Sequence, residues 1–324
     1  MISESREQVW VRLPNWLGDV VMAVPVLRAL HDPERVELTL VGKSAFLPAI
    51  ERLQLADRVV ALPPKKRGYF SAFRTMCTPR PHRYLVLTRS LRGDLEARLS
   101  GARTRLGLSR TREWRPLLTR THRIPPNTDR QKVHQTALWG EMMTDFGWTT
   151  PMSFAPIELS SAPRHPNRIG LICGSENSPE KRWPVPRWRA MIDQLLASDP
   201  NLQIRLYGTP GDAAVTQRVA EGFDPVRVRD LAGQTDLPTF CEELAACAVV
   251  CANDTGGMHL ANMLGTPLVA LFGPTNPVRT GPVFESQYVV LQPPGCPTTG
   301  GTPIEKLPSD QATDAVSGLL GQRG

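Results

Sequence analysis

The sequence predicts an α/β protein made of two Rossmann-like domains, each built on a parallel sheet. Three observations lead there. The chain has 324 residues and is 41% hydrophobic, enough for two ordinary domains with separate cores. Short apolar runs alternate with helical stretches, the pattern of strands laid side by side with helical crossovers. The same strand-turn-helix plan occurs in both halves, on either side of a proline- and serine-rich run from Thr149 to Asn167. That run marks the boundary and divides the chain into an N-terminal domain, 1–157, and a C-terminal domain, 158–324, which closes on a short final helix.

In chain order, Val9 to Leu13 alternates as a strand, Pro14 to Asp19 forms a turn, and Val20 to Leu30 reads as an apolar-striped helix with one interior proline, Pro25. Asp19 thus stands at a strand-to-helix junction. Ligands of open parallel sheets collect at the carboxyl ends of strands, so this carboxylate is placed to act on a bound molecule. The same position also suits an acid that merely favours the positive end of a helix dipole.

The second half opens on a strand from Arg168 to Ile172, a loop from Cys173 to Pro184, and a helix covering Trp188 to Leu196. The Gly174-Ser175 turn offers backbone donors and Lys181 and Arg182 add positive charge, a combination suited to a diphosphate. A Lys-Arg pair alone more often marks a solvated surface. Further on, Ala248 to Cys251 is a buried strand and Met258 to Leu264 a helix closed by Gly265. Between them, Thr255, Gly256 and Gly257 lie at the helix N-terminus, where free N–H groups and the dipole favour an anion. Asp254 or Thr255 also suits a plain helix cap.

In this order and spacing, RLPNWLGDVVMAVPVLRAL, GSENSPEKRWP and NDTGGMHLANMLGTPLVALFGPTNPVRTGP resemble the signatures of the bacterial lipopolysaccharide heptosyltransferases, the ADP-heptose-using family of GT-B glycosyltransferases, and within it heptosyltransferase II. Weaker likeness fills the chain from Val9 to about Val290. The resemblance implies two Rossmann-like domains facing a central cleft, with the acceptor on the N-terminal one and the nucleotide-sugar on the C-terminal one. It implies that Asp19 is the catalytic base and that Lys181 neutralises the donor diphosphate. Asp254, Thr255, Gly256 and His259 would hold the nucleotide-sugar, and Ser175 and Glu176 would line its site. Tyr207 to Asp212 falls where the family binds the nucleoside, with Asp212 as a ribose or adenine contact. Gly257 departs from the larger apolar residue common in the family, Cys173 departs from a proline, and Cys296 is the one cysteine left in the late loop PPGCPTTGGTP.

The implied reaction is an inverting transfer of heptose from ADP-heptose to the lipopolysaccharide inner core, heptose II onto heptose I, without a metal or other cofactor. The alternatives are a relative using another nucleotide-sugar or surface glycan, and a non-catalytic sugar-nucleotide binder. The binder would have no need of Asp19. A nicotinamide-dependent oxidoreductase is disfavoured because PNWLGD holds a single glycine where the dinucleotide fingerprint requires three.

Charge and cysteine usage narrow the setting. The net charge is +7, yet Lys65 to Lys132 holds 18 lysines and arginines against 4 acids, a balance of +14 that leaves the remainder near −7. Arginines here, among them Arg89, Arg92, Arg110, Arg112 and Arg115, favour bidentate contact with phosphate or carboxylate, and Arg89 and Arg92 are the acceptor candidates. An acidic glycolipid on the inner membrane fits this patch, with peripheral membrane contact through the arginine-rich half at roughly 1 kcal/mol per basic residue. Part of these arginines simply solvates helix faces. No RNA-binding, zinc-finger or helix-turn-helix pattern accompanies them, so nucleic acid is not an expected partner. Without a signal-peptide pattern or an apolar run near 20 residues, the protein is expected in the cytoplasm. Cys77, Cys173, Cys241, Cys247, Cys251 and Cys296 form no CxxC pair and read as reduced hydrophobes, with neither zinc nor disulfides.

Overall fold

The computed structural model describes residues 6–129, 131–159, 163–176 and 178–321. The chain divides into two compact units between Ser153 and Phe154.

The first unit runs β1 (Glu7–Arg12), α1 (Leu17–Met22), α2 (Val24–Leu30), β2 (Val36–Gly42), α3 (Leu47–Arg52), β3 (Arg58–Ala61), α4 (Tyr69–Met76), β4 (Arg83–Val86), α5 (Leu91–Leu99), β5 (Thr104–Ser109), β6 (Arg120–Arg123) and α6 (Gln135–Asp145). Its six strands form one sheet in the order β3-β2-β1-β4-β5-β6, and every pairing is parallel. Val9, Trp10, Val11 and Arg12 are all buried, as expected for a central strand covered on both faces, whereas the edge strands β3 and β6 are half-exposed.

The single helix expected over Val20 to Leu30 is two. α1 ends at Met22, and Pro25 sits in the first turn of α2. Proline has no N–H to give to a carbonyl four residues back, but the first turn of a helix needs none, so the hydrogen-bond ladder is interrupted around Ala23, which itself keeps a helical conformation.

The second unit runs β7 (Arg168–Ile172), α7 (Val185–Ser198), β8 (Gln203–Tyr207), α8 (Ala213–Ala220), β9 (Val228–Asp230), α9 (Leu237–Ala245), β10 (Val249–Asn253), α10 (Gly256–Met263), β11 (Leu268–Leu271), α11 (Pro277–Thr280), β12 (Tyr288–Leu291) and α12 (Ser309–Gly321). The sheet order is β12-β11-β10-β7-β8-β9, again parallel throughout. In both units the first strand has the second on one side and the fourth on the other, the Rossmann order. The connections therefore diverge between β1 and β4, and between β7 and β10, which opens a crevice at the carboxyl ends of each pair. The core of the second unit packs Ile169, Leu171, Val249 and Cys251 of the sheet against Trp188, Ile192 and Leu195 of α7 and Val316 and Leu319 of α12. The final helix is longer than the short one expected, at 13 residues, because its apolar face packs beside α7.

Candidate functional site

β7 and β10 are neighbours, so the loops that leave their carboxyl ends share one crevice. Asn253, the last residue of β10, is fully buried. Its Nδ2 donates to the carbonyls of Cys173 at 2.8 Å and Gly174 at 3.3 Å, and its Oδ1 accepts from the Trp183 N–H at 3.2 Å. One amide thereby fixes both ends of the loop from 173 to 183. The Trp183 indole donates to the Leu307 carbonyl at 3.0 Å and meets Trp188 edge-on at 5.0 Å.

Held in this way, the loop brings Lys181 Nζ to 2.8 Å from Asp254 Oδ2, with side chains 24% and 7% exposed. Arg182 instead braces the loop from within, its Nε and Nη2 donating to the Ser175 carbonyl at 3.2 and 2.8 Å. Ser175 is buried and Glu176 exposed. Thr255 is the N-cap of α10 but makes no side-chain capping bond, and its Oγ1 is buried without a hydrogen-bond partner. The N–H groups of the first helical turn, opened by Gly256, are donors with no partner inside the helix. An ammonium, a carboxylate that holds it in place, a row of N–H donors and an unmet hydroxyl thus converge at one helix end, and this set can neutralise and orient a diphosphate. His259, one turn further, is buried.

Two neighbours of this site are held by close packing. Asp212, expected to contact ribose or adenine, is 5% exposed and closes a capping box, its Oδ2 accepting from Thr209 N at 3.0 Å and Thr209 Oγ1 at 2.8 Å. Its carboxyl group lies so close to Gly174 that a Cβ there would stand 2.1 Å from Asp212 Cγ. Asp212 therefore joins the loops after β7 and β8, while its Oδ1 is buried without a hydrogen-bond partner, 3.9 Å from Arg182 Nη2. At Gly257, a Cβ would come within 2.6 Å of Ile172 Cδ1 and 3.1 Å of Phe240 Cζ. Ile172 and Phe240 occupy the space that a larger residue would need.

In the first unit, Asp19 lies in the first turn of α1. The turn ahead of it hangs on Arg12, whose side chain is 3% exposed. Arg12 Nε lies 2.6 Å from Glu96 Oε2, Nη2 donates to Asn15 Oδ1 at 3.0 Å, and Nη1 donates to the Leu13 carbonyl. The Tyr69 hydroxyl donates to the other oxygen of Glu96, and burial, then Glu96, pushes this phenol above its ordinary range. Arg89 and Arg92 follow β4, the strand beside β1, so they leave the sheet at the same crevice as Asp19. Arg89 pairs with Glu113 at 3.3 Å, and Arg92 is exposed with its guanidinium 5.3 Å from the Tyr69 ring centre. The arginine-rich stretch is less free than its count implies. Arg115 is 6% exposed and donates to Asp94 and to the Thr88 and Leu108 carbonyls, and Arg83 pairs with Glu7 at 2.7 Å.

The sequence profile of glycosyltransferase family 9, the heptosyltransferases, matches residues 71–302. The chain belongs to this family. It is a glycosyltransferase, and its fold is that of the GT-B heptosyltransferases, as its three motif segments implied. This glycosyltransferase is 26% identical over 311 residues to lipopolysaccharide heptosyltransferase 2 of Escherichia coli K12, covering 86% of each chain. Its structure is similar to that of E. coli ADP-heptose lipopolysaccharide heptosyltransferase II, with a TM-score of 0.79 at 23% identity over 97% and 99% of the two chains. It is also similar to the E. coli heptosyltransferase WaaC with ADP, with a TM-score of 0.77 at 21% identity over 96% and 99%.

Sequence reasoning passed over Asn253, Arg12 and Glu96, which set the loops of the glycosyltransferase without standing among its expected ligand contacts. An asparagine ending an apolar strand was a usable signal for the first, since a buried amide must find partners. Nothing local marks Arg12 and Glu96, which lie 84 positions apart. Among the described residues, no group of three or more His, Cys, Asp or Glu is arranged to hold a metal, and no helix is long and apolar enough to cross a membrane. Five of the six cysteines are buried and Cys296 is partly exposed. Burial pushes the Cys77 thiol up to about 12.

Proposed function

We propose that this glycosyltransferase moves heptose from ADP-heptose to the inner core of lipopolysaccharide, adding a second heptose to a first, with inversion and without a metal. The observation that carries the reading is the Lys181–Asp254 pair beside the unmet Thr255 hydroxyl at the α10 N-terminus. The relatives named as heptosyltransferases, and the similar structure described with ADP, supply the donor.

In the reaction, an acceptor hydroxyl attacks the anomeric carbon from the face opposite the diphosphate. A new C–O bond forms, the bond to the diphosphate breaks, and the hydroxyl proton passes to Asp19. Lys181 and the N–H groups around Thr255 and Gly256 take up the charge that grows on the leaving diphosphate. Ser175, Glu176 and His259 belong to the donor side, and Arg89 and Arg92 hold the acidic glycolipid acceptor. The enzyme works in the cytoplasm, in peripheral contact with the inner membrane.

Calorimetric titration with ADP, UDP and GDP, combined with turnover of Asp19→Asn, tests this reading. ADP is expected to bind selectively, and Asn at position 19 to lower turnover roughly 100-fold or more while ADP affinity holds, as for a group that acts mainly in the transition state. Preference for UDP or GDP would replace the donor. Near-normal turnover would remove Asp19 from its role.

A further inference from the structure

Leu91 and Trp114 are 76% and 84% exposed, the most exposed of the large hydrophobic residues described. Leu91 opens α5 after β4, and Trp114 lies in the segment that joins β5 to β6. These two segments are tied together on both sides of the pair. Arg89 Nε lies 3.3 Å from Glu113 Oε2, while Arg115 Nε donates to Asp94 Oδ2 at 3.0 Å and Arg115 Nη2 to the Thr88 carbonyl at 3.0 Å. The ties fall at 89 and 94 around Leu91, and at 113 and 115 around Trp114. The Asp94–Arg115 tie is itself buried, and Ser90 Oγ caps α5 by accepting from Gly93 N at 3.1 Å. Both apolar side chains are therefore presented to water from a braced support, and solvent gives no return for that arrangement.

Charge selects the partner. The three acids of the two segments are all engaged, Asp94 by Arg115, Glu96 by Arg12 and Glu113 by Arg89. Arg92, Arg110 and Arg112 are exposed, and their guanidinium groups form no direct ion pair with those acids, although Arg110 lies within electrostatic reach of Glu113. An indole and an aliphatic side chain on segments that also carry exposed guanidinium groups match the interface of an anionic bilayer, where aromatic rings settle at headgroup depth and each cation near the surface raises partition about fivefold.

We propose that Leu91 and Trp114 form a membrane-docking wedge that inserts into an anionic lipid surface, with Arg110 and Arg112 on its headgroups. The kind of surface rests on the glycolipid reading above, whereas the position of the wedge rests on the two ties.

The test is co-sedimentation of the full chain with vesicles of phosphatidylglycerol and phosphatidylethanolamine, in the absence of donor and acceptor. Binding is expected, weakening as salt rises and absent on phosphatidylcholine. A variant carrying both Leu91→Ser and Trp114→Ser should lose at least tenfold in partition while its ADP affinity and its turnover on a water-soluble acceptor stay unchanged, and Trp114→Phe should retain most of the binding. Arg110→Gln with Arg112→Gln should also weaken it. Failure of the wild type to bind anionic vesicles, or equal binding by the Leu91/Trp114 variant, would overturn the wedge. So would a raised KM for the soluble acceptor with vesicle binding intact, which would make Trp114 a sugar contact. Vesicle binding without transfer to any acceptor would instead sink the proposed reaction and leave the wedge standing.

Discussion

Lys181 carries its charge at the positive end of α10, a position that a cation avoids unless an anion holds it there. Asp254 is that anion, and a bound diphosphate would become its competitor. Removing the ammonium has two effects in the same direction: the ligand loses a charge-assisted contact, and the Asp254 carboxylate is left facing it. Lys181→Ala is therefore expected to weaken ADP binding by roughly ten- to a hundredfold, the range for a hydrogen bond to a charged group. Adding Asp254→Asn should restore part of the loss by removing the repulsion. Calorimetry on the single and double variants measures this, and an unchanged dissociation constant for the single variant would exclude diphosphate contact by Lys181.

At the scale of elements, the site depends on how closely α10 approaches β7 and α9. Gly257 permits that approach, since Ile172 and Phe240 already fill the space where a side chain would project. Gly257→Leu is expected to overpack this contact and destabilise the protein by about 1–3 kcal/mol, read as a lower denaturant midpoint. Phe240→Leu in the same chain should recover part of the loss, because touching residues do not act additively. Full stability of the Gly257→Leu variant would mean that α10 can shift without cost. Asn253 works on the same junction from the strand side, joining β10 to the loop after β7 through backbone groups alone. Its amide positions Lys181 with no need to touch a ligand.

For the whole molecule, each unit has its own sheet in Rossmann order, and the proposed donor contacts all lie in the second. A ligand that binds only the folded state stabilises by about 2.7 kcal/mol at a hundredfold excess over its dissociation constant. With ADP, amide hydrogen exchange should slow most in segments 173–183 and 253–264, where the crevice loops and the first turns of α10 lie. Protection confined to the sheet of the first unit would contradict a donor site between β7 and β10.

Local sequence determined the strand-turn-helix junctions. The strand from Arg168 to Ile172 and the helix closed by Gly265, at φ +69°, follow from side-chain periodicity and from glycine's access to a left-handed turn. The three motif segments were likewise enough for the family, because each is one continuous stretch of chain. The interruption at Ala23 was half legible: Pro25 was visible, but whether it kinks a helix or starts one depends on the packing around it. Only the tertiary structure decided which charges are free. Asp212 faces Gly174, Arg115 is buried against Asp94, and Arg12 reaches Glu96 from 84 positions away. A charge count cannot tell a solvated arginine from a buried one, since desolvation and pairing depend on the neighbours that the sheet order brings together, and parallel crossovers bring them from distant parts of the chain.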